Sequence, residues 1–477
     1  MRVRRLDWIA VGVVLIIIHC LLVPLSWEFD YDAPVLTYPV ISFVALEMLA
    51  GGVYLTLLWL IPRSPSDRQL LALVLGVGLT MRAVTMFSTP ILEDDFYRYL
   101  WDGAVVAEGK DPYRYSPAEV LAAHGDGDST PALAALSMLS EASTPVAQRI
   151  NYPQLTTIYP PLTQGVFALG ASIEAFSLHV WRLILLLIEG ATVALLYMIL
   201  RQQNRSPLWL AIYWWNPLAV KELVNSAHMD ALLLPLLAGV VLLMLMRKGV
   251  LASLCLALAA GVKLWPALLL PIVLRPLIAE PGKLVAALAV FSAAFSGTAW
   301  WLVGQAGGET GLTAYSVGWN MNDAFFLAFH WVVGNALELL GYEWLASGSV
   351  SRALVAATIL WLGLWLNRRV AGDPGELCSR FLVLTAIVFL LSPTQFPWYY
   401  TWLLPFLVVA PSPALLLLTA LLPLYYLRFY LDFRDQSRLF DHGIVWLEYL
   451  PVWWLLAREW WLHVRRGSAA RLDPGRP

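Results

Sequence analysis

The chain has 477 residues, of which 59% are hydrophobic and 13% are charged, and its formal net charge is -2. So small a net charge argues against a nucleic-acid partner, and so apolar a composition excludes an ordinary soluble domain. Apolar runs of membrane-spanning length recur from one end to the other, which predicts an all-α polytopic membrane protein surrounded by membrane lipids.

The first three apolar runs carry the chain to the outer face of the membrane if basic residues mark the inner ends of the spans. The basic stretch 2–5 precedes the run 8–25, which no small-residue cleavage site follows, so we interpret this run as an uncleaved first helix. The run 40–61 returns to the basic residues of 63–68. The run 70–87 then crosses outwards.

Four later runs end in basic residues and are also expected to end inside: 180–200, 232–246, 354–366 and 444–462. The pattern predicts about 12–14 spans with both termini inside. We detect no internal repeat, so residues 1–477 are expected to form a single transmembrane domain.

The longest polar stretch, residues 88–176, is predicted to be an outer loop carrying helices on the membrane surface. It opens with EDDFYRYLWDG at 93–103, where Asp94 and Asp95 stand beside aromatic residues at the membrane edge. A carboxylate partly withdrawn from water has a raised pKa and makes a better general base near neutral pH. Helix capping by the two acids is the alternative interpretation.

The same loop closes on NYPQLTTIYPPLTQ at 151–164. The apolar run 162–175 after the Pro-Pro pair is short for a bilayer, so we expect it to lie along the outer surface, and the run 323–340 to do the same. DGD at 126–128 resembles a metal-binding motif of nucleotide-sugar enzymes, but a turn in a Gly-rich loop is the simpler interpretation.

A second polar cluster, WNPLAVKELVNSAHMDA, includes the next predicted outer turn, 221–230. Lys221, Glu222, His228 and Asp230 fall within ten residues, which indicates a shared polar cavity, although an ion-paired turn is equally compatible. The spacing matches no strong metal motif, so the sequence predicts no metal here.

Lys263 stands in the middle of the apolar run 249–275, where a lipid-facing charge costs about 2.5–3.5 kcal/mol. A single pass would move the later basic clusters outside, whereas two short passes or a broken re-entrant hairpin keeps them inside. Pro266 permits such a break. Lys263 is therefore expected to face a polar cavity.

Several outer arginines could join Lys263 in stabilising a phosphate leaving group: Arg98, Arg114, Arg428, Arg434 and Arg438. The last three lie in a predicted outer loop, 428–442, where aspartates alternate with them. That alternation favours ion pairs for these three.

Five strings in chain order resemble the GT-C superfamily of polytopic glycosyltransferases, in particular a bacterial mannosyltransferase-like branch that uses polyprenyl-phosphate sugars. They are EDDFYRYLWDGAVVAEGKDPYRYSP, INYPQLTTIYPPLTQ, WNPLAVKELVNSAHMDA, GVKLWPALLLPIVLR and SPTQFPWYYTWLLPF, within residues 94–406 and the position just before. The resemblance implies a GT-C-like bundle with a large outer first loop, a polyprenyl-phosphate hexose donor, inversion at the anomeric carbon, and neither nucleotide nor other cofactor.

In that superfamily an Asp on the first large outer loop is the catalytic base, which implies this role for Asp94, with Asp95 assisting. Tyr159 begins the surface helix that borders the lipid phosphate in relatives, and it stands where some of them carry Lys. Phosphate binding is therefore expected to involve Lys263 or Arg98 as well.

Sugar contacts are expected from Glu222, His228, Asp230 and Trp398. The expected reaction moves a hexose, mannose first, to a lipid-linked or glycan-linked acceptor on the outer face of the bacterial inner membrane. A transporter or a flippase for lipid-linked sugars is the alternative, and a noncatalytic subunit of cell-wall synthesis is a third. A transporter leaves the large outer loop and its acidic entrance unexplained.

Overall fold

The computed structural model describes residues 4–123, 130–305 and 310–472, and α-helices dominate these ranges. One isolated bridge pairs Met321 with Thr394, and the described ranges contain no longer β-structure. The all-α polytopic class expected from the sequence is thereby confirmed.

Eight helices of the described chain are long and apolar enough to cross a membrane. They are Arg5–Ser26, Val40–Arg63, Arg68–Thr85, Leu178–Gln202, Pro281–Gln305, Ser347–Leu366, Pro374–Leu391 and Pro413–Asp432. A bent pair, Pro217–Asn225 with Met229–Leu245, turns by 107° and would be a ninth candidate. Shorter apolar helices are Gly249–Val262, Trp265–Ala279 and Ala324–Leu339.

This count lies below the predicted 12–14 because several apolar runs form short or broken helices. The run 249–275 shows why. Its helix ends at Val262, and Lys263 adopts an extended backbone with φ -148° and ψ 144°. Pro266 lies at the start of the next short helix. The first N–H groups of a helix have no hydrogen-bond partner within it, so a proline there removes no helical hydrogen bond. The break predicted at Lys263 is present.

The described part of the large loop between the third and fourth spans contains five helices, Asp95–Ala107, Pro117–Ala122, Pro131–Ala142, Thr144–Gln148 and Pro161–Ile173. The short helix expected at 162–175 is the last of these, and it packs along Asp95–Ala107. Gly103 makes the approach possible, because a Cβ there would lie only 2.5 Å from the carbonyl oxygen of Phe167. The first turns of Asp95–Ala107 line the site described below, and Pro161–Ile173 supports that helix from behind.

The remaining α-helices of the described chain are Ala211–Trp214, Gly311–Gly318, Pro397–Tyr400, Leu404–Val409, Ser437–Leu439 and Val445–Leu472. Short 3-10 and π segments join many of them, including Val35–Thr37, Lys221–Asn225, Met229–Leu232 and Phe440–Ile444.

Buried arginines fix the segment that leads from the third span to the acidic string. Arg82 pairs with Glu189 at 2.6 Å, and neither side chain is accessible to solvent. Arg182 donates from Nη1 to the carbonyl oxygens of Met86 and Ser88 at 3.1 and 2.9 Å. Because a buried guanidinium needs such acceptors, the backbone before Asp94 is tied to the fourth span.

Candidate active site

A cavity of about 750 Å³ opens between the outer-loop helices and the ends of the membrane helices. Its volume lies within the range of small-molecule sites. Asp94, Asp95 and Asn151 line it from the outer loop, and Asp230 and Lys263 line it from the later part of the chain. The fold therefore brings together residues that lie about 170 positions apart in the sequence.

The two carboxylates of the acidic string share one amide. Asn151 donates from Nδ2 to Oδ1 of Asp94 and to Oδ1 of Asp95, both at 2.8 Å. Tyr99 also donates to Oδ2 of Asp95, at 3.4 Å. Sequence reasoning did not single out Asn151, although it lies at the start of the string that closes the outer loop. Its position at that junction was the available signal.

The three consecutive acids differ in their readiness to accept a proton. Burial, and then the charge of Asp95, raises the pKa of Asp94 to about 6. Burial raises the pKa of Asp95 as well, and the hydrogen bond from Asn151 opposes this shift. Burial raises the pKa of Glu93 well above its usual range. With a pKa of about 6, Asp94 is mostly ionised at neutral pH.

His228 links the carboxylate pair to a second buried acid. Its Nδ1 lies 3.8 Å from Oδ2 of Asp95, and its Nε2 lies 3.5 Å from Oε2 of Glu222. Trp398 stacks on the imidazole ring, with ring centroids 4.1 Å apart. Tyr426 donates to Oε1 of Glu222 at 2.7 Å. These contacts hold the imidazole in one orientation.

Glu222 and His228, two of the four expected sugar contacts, lie behind the cavity wall. Both side chains are fully buried, and neither reaches the cavity surface, which Asp230 and Trp398 do reach. In the ionisable cluster predicted from the sequence, Glu222 lies close to both Lys221 and His228, whereas Asp230 pairs with Lys263. The side chains of this cluster point in different directions because the chain turns sharply between Asn225 and Met229.

Lys263 lines the cavity and has a close partner in Asp230. Its Nζ donates to Oδ1 of Asp230 at 2.6 Å, and Nε1 of Trp402 donates to the same oxygen at 2.6 Å. The ammonium group also lies 4.1 Å from the ring centre of Tyr399. Tyr399 and Trp402 belong to the SPTQFPWYYTWLLPF string but were not singled out there. They hold the cation at the cavity wall.

The other predicted phosphate ligands also line the cavity. Arg98 donates from Nη2 to the carbonyl oxygens of Asn151 and Tyr152, at 3.3 and 3.2 Å. These bonds support the backbone that presents Asn151. The ring of Tyr159 packs edge-on against Tyr99, with centroids 5.2 Å apart.

The remaining cationic candidates differ in position. Arg428 lines the cavity and pairs with Asp432 at 3.2 Å. Arg434 instead packs on the ring of Tyr430, and Arg114 on the ring of Tyr115. Neither Arg434 nor Arg114 lines the cavity. The DGD string at 126–128 lies outside the described residues.

Three of the eight non-glycine residues with positive φ in the described chain lie beside site residues. Leu92, Tyr152 and Ala227 have φ values of 58°, 46° and 57°, in the left-handed region that bulky side chains avoid. They adjoin the acidic string, Asn151 and His228, respectively. Such positions cost about 1–3 kcal/mol each and persist where surrounding contacts hold them.

The described ranges contain no group of three or more His, Cys, Asp or Glu side chains placed to hold a metal ion.

Comparison with known proteins gives one family. Residues 12–280, more than half of the chain, match the family model described as alpha-(1->6)-mannopyranosyltransferase, N-terminal domain. No curated protein and no solved structure matches the chain. The matched region contains the whole outer loop, the 221–230 turn and Lys263.

Proposed function

Because the chain belongs to the alpha-(1->6)-mannopyranosyltransferase family and is a membrane glycosyltransferase, we propose that it transfers mannose from a polyprenyl-phosphate donor to a lipid-linked or glycan-linked acceptor. The observation that carries this proposal is the joint placement of Asp94, Asp95 and Lys263 around one cavity. A base and a cation are the two groups that such a displacement requires.

The proposed step is a single displacement with inversion. Asp94 takes the proton of the acceptor hydroxyl while the hydroxyl oxygen forms a bond to C1 of the sugar. The bond between C1 and the phosphate oxygen breaks at the same time, and the phosphate leaves with the electron pair. Asp95 and Asn151 hold Asp94 in place, since Asn151 donates to both carboxylates.

Lys263 is proposed to stabilise the leaving phosphate. Its ammonium group has three donors, of which one serves Asp230, so further donors can turn to phosphate oxygens. Tyr159 borders the same cavity. Arg98 contributes its positive charge there while its hydrogen bonds support the backbone of Asn151.

We further propose that Asp230 and Trp398 border the sugar, and that Glu222 and His228 act on the reaction through Asp95. The outer face of the bacterial inner membrane is the proposed location of the cavity. The Lys and Arg distribution supports it, because the outer loop follows a third span that begins next to Arg63 and Arg68.

A transporter or flippase remains the competing function, since intramembrane charges also suit transport. The family match and the Asn151-bridged carboxylates favour transfer. The test is to incubate the purified protein with polyprenyl-phosphate mannose and a mannoside acceptor, and to measure the mannosylated product.

Asp94→Asn separates catalysis from binding. The amide keeps the shape of the side chain but cannot take the proton, so transfer should fall by roughly 10²–10⁴-fold while donor binding survives. Asp95→Asn should cost less. Asp111→Asn is the matched control, because Asp111 accepts a backbone hydrogen bond in the same loop but does not line the cavity. Normal transfer by the Asp94 and Asp95 variants would contradict the proposed base.

A further inference from the structure

A short loop before the second span forms part of the cavity wall. Phe29 anchors this loop, since it is 4% exposed and packs against Tyr38 and Phe43. Tyr38 also donates to the carbonyl oxygen of Asp30 at 2.6 Å. Tyr31, in contrast, is 53% exposed and lines the cavity. The loop therefore holds an aromatic ring open to the cavity on an anchored backbone.

Arg149 joins this ring to the outer-loop helices. Its guanidinium carbon lies 4.4 Å from the ring centre of Tyr31, and its Nη1 donates to the hydroxyl of Tyr97 at 3.3 Å. Its Nη2 lies 3.0 Å from Oδ2 of Asp32. The rings of Tyr31 and Tyr97 meet edge to face, with centroids 6.4 Å apart. Three distant segments thus meet at one polar and aromatic cluster.

The ion pair of this cluster contributes little to the stability of the fold. The Arg149–Asp32 pair is partly open to water, with side-chain exposures of 26% and 76%. Exposed pairs of this kind contribute about 0–1 kcal/mol. Half-exposed tyrosines, an arginine and a carboxylate suit a ligand that has both apolar C–H faces and hydroxyl groups. Saccharides have this character, because their ring faces stack on aromatic rings and their hydroxyls bond to charged groups.

The cluster adjoins the proposed base. Arg149 lies two residues before Asn151, and the backbone N–H of Tyr97 donates to the carbonyl oxygen of Asp94 at 3.0 Å. Lys263, proposed to stabilise the leaving phosphate, instead contacts Asp230, Tyr399 and Trp402, and none of these three belongs to the cluster. In an in-line displacement, the incoming oxygen and the leaving group occupy opposite sides of C1. The acceptor should then approach from the side of Tyr31, Tyr97 and Arg149.

We propose that Tyr31, Tyr97 and Arg149 form a binding subsite for the saccharide chain of the acceptor. This inference deepens the proposed function and rests on it for the direction of approach. The family description names an alpha-(1->6) linkage, so an alpha-(1->6)-linked mannotetraose is the probe of choice.

The first test measures binding without donor, by titration calorimetry of the purified protein in detergent. The protein should bind mannotetraose, and Tyr31→Ala and Arg149→Ala should each weaken binding by roughly three- to tenfold, the usual worth of one aromatic or charged contact. Arg149→Lys keeps the charge but loses the planar fork, so it should also weaken binding. It serves as the second variant if Arg149→Ala fails to fold.

Matched controls come from the same protein. Tyr342→Ala removes a tyrosine that is 48% exposed, and Arg114→Ala removes an arginine that also rests on a tyrosine ring. Neither residue lines the cavity, so both variants should bind mannotetraose as the unchanged protein does.

The second test separates this inference from the proposed reaction. In the transfer assay, Tyr31→Ala should raise KM for the acceptor and leave KM for the donor unchanged. If the protein binds mannotetraose through Tyr31 and Arg149 but transfers no mannose, the subsite stands and the proposed reaction fails. If mannotetraose does not bind, or binds equally well to the Tyr31 and Arg149 variants, the subsite is overturned whether or not transfer occurs.

Discussion

At the scale of single residues, the protonation of Asp94 should control the pH dependence of transfer. Its pKa is raised to about 6 by burial and by the neighbouring Asp95. The base works only when ionised, so kcat/KM should be level above about pH 7 and fall about tenfold per unit below about pH 6. A pH profile between about 5 and 8, with donor and acceptor far below saturation, measures this.

The residual activity of the Asp94→Asn variant provides the control, because the kcat/KM of this variant should not fall at acidic pH. A rate that stays constant down to about pH 5 would contradict the assignment. The same fall in the Asp94→Asn variant would assign it to another group.

The Lys263–Asp230 pair calls for a paired substitution. Removing Lys263 alone would leave the carboxylate of Asp230 buried without its ion partner, which costs up to about 3–5 kcal/mol and could unfold the protein. In Lys263→Met with Asp230→Asn, Trp402 can still donate to the amide oxygen. Donor binding should weaken by about 10- to 100-fold, the worth of one charged hydrogen bond.

Equilibrium binding of polyprenyl-phosphate mannose tests the double variant, and Lys263→Arg should retain part of the affinity. Lys283→Met is the control, because Lys283 forms an exposed pair with Glu280 far from the cavity lining. Unchanged donor affinity in the double variant would leave the Lys263–Asp230 pair with a structural role only.

Residue types and spacing could predict which side chains share one cavity more readily than which side chains are buried behind its wall. Asp94, Asp95, Lys263 and Asp230 all line one cavity, as a cluster of costly charges in an apolar chain indicates. The burial of His228 could not be predicted, because it depends on the strained turn at Ala227, and no sequence rule assigns a left-handed backbone to alanine.

At the scale of secondary-structure elements, the contact between Asp95–Ala107 and Pro161–Ile173 should determine how precisely the carboxylates are placed. A Cβ on Gly103 would meet the backbone of Phe167, which cannot rotate aside as a side chain can. Gly103→Ala should therefore lower the stability by about 1–3 kcal/mol and reduce transfer. Thermal unfolding in detergent, followed with the transfer rate, measures both effects.

Gly165 supplies the matched control within the partner helix. No atom lies within 4 Å of a Cβ built there, so Gly165→Ala should be neutral or stabilise the helix by about 0.4–1 kcal/mol. Equal melting temperatures for the two variants would show that the helices can move apart without loss. The close packing would then have no part in placing Asp94.

Hydrophobic runs predicted the long helices well, and the broken ones less well. The expected runs 70–87 and 180–200 correspond to Arg68–Thr85 and Leu178–Gln202. The run 232–246 belongs instead to a bent pair whose first half, Pro217–Asn225, looks from sequence like a polar turn. Its Lys221 and Glu222 are buried against Tyr426, a residue some 200 positions away. A partner so distant in the sequence cannot be identified from the local pattern.

At the scale of the whole molecule, the short and broken segments decide the orientation of every later helix. Among the described residues between Gln202 and Val370, two helices are long enough to cross on their own, Pro281–Gln305 and Ser347–Leu366. Two crossings return the chain to the side from which it started. The remaining apolar segments are the broken helices from Pro217 to Ala279 and the helix Ala324–Leu339. Gln202 and Val370 therefore lie on the same side of the membrane only if these segments cross it an even number of times.

Single cysteines can test this arrangement in a background without Cys20, Cys255 and Cys378, which are all free thiols. Lys110→Cys, in the exposed part of the outer loop, should react with an impermeant maleimide added to intact cells. Gln202→Cys and Val370→Cys follow basic residues at the ends of their helices, so both should react only after the cells are permeabilised.

Labelling of Val370→Cys from outside, with Gln202→Cys protected, would mean an odd number of crossings in the broken segments. Labelling of Gln202→Cys from outside, with Lys110→Cys protected, would place the cavity and its carboxylates on the inner face. Polyprenyl-phosphate mannose would then have to be used in the cytoplasm.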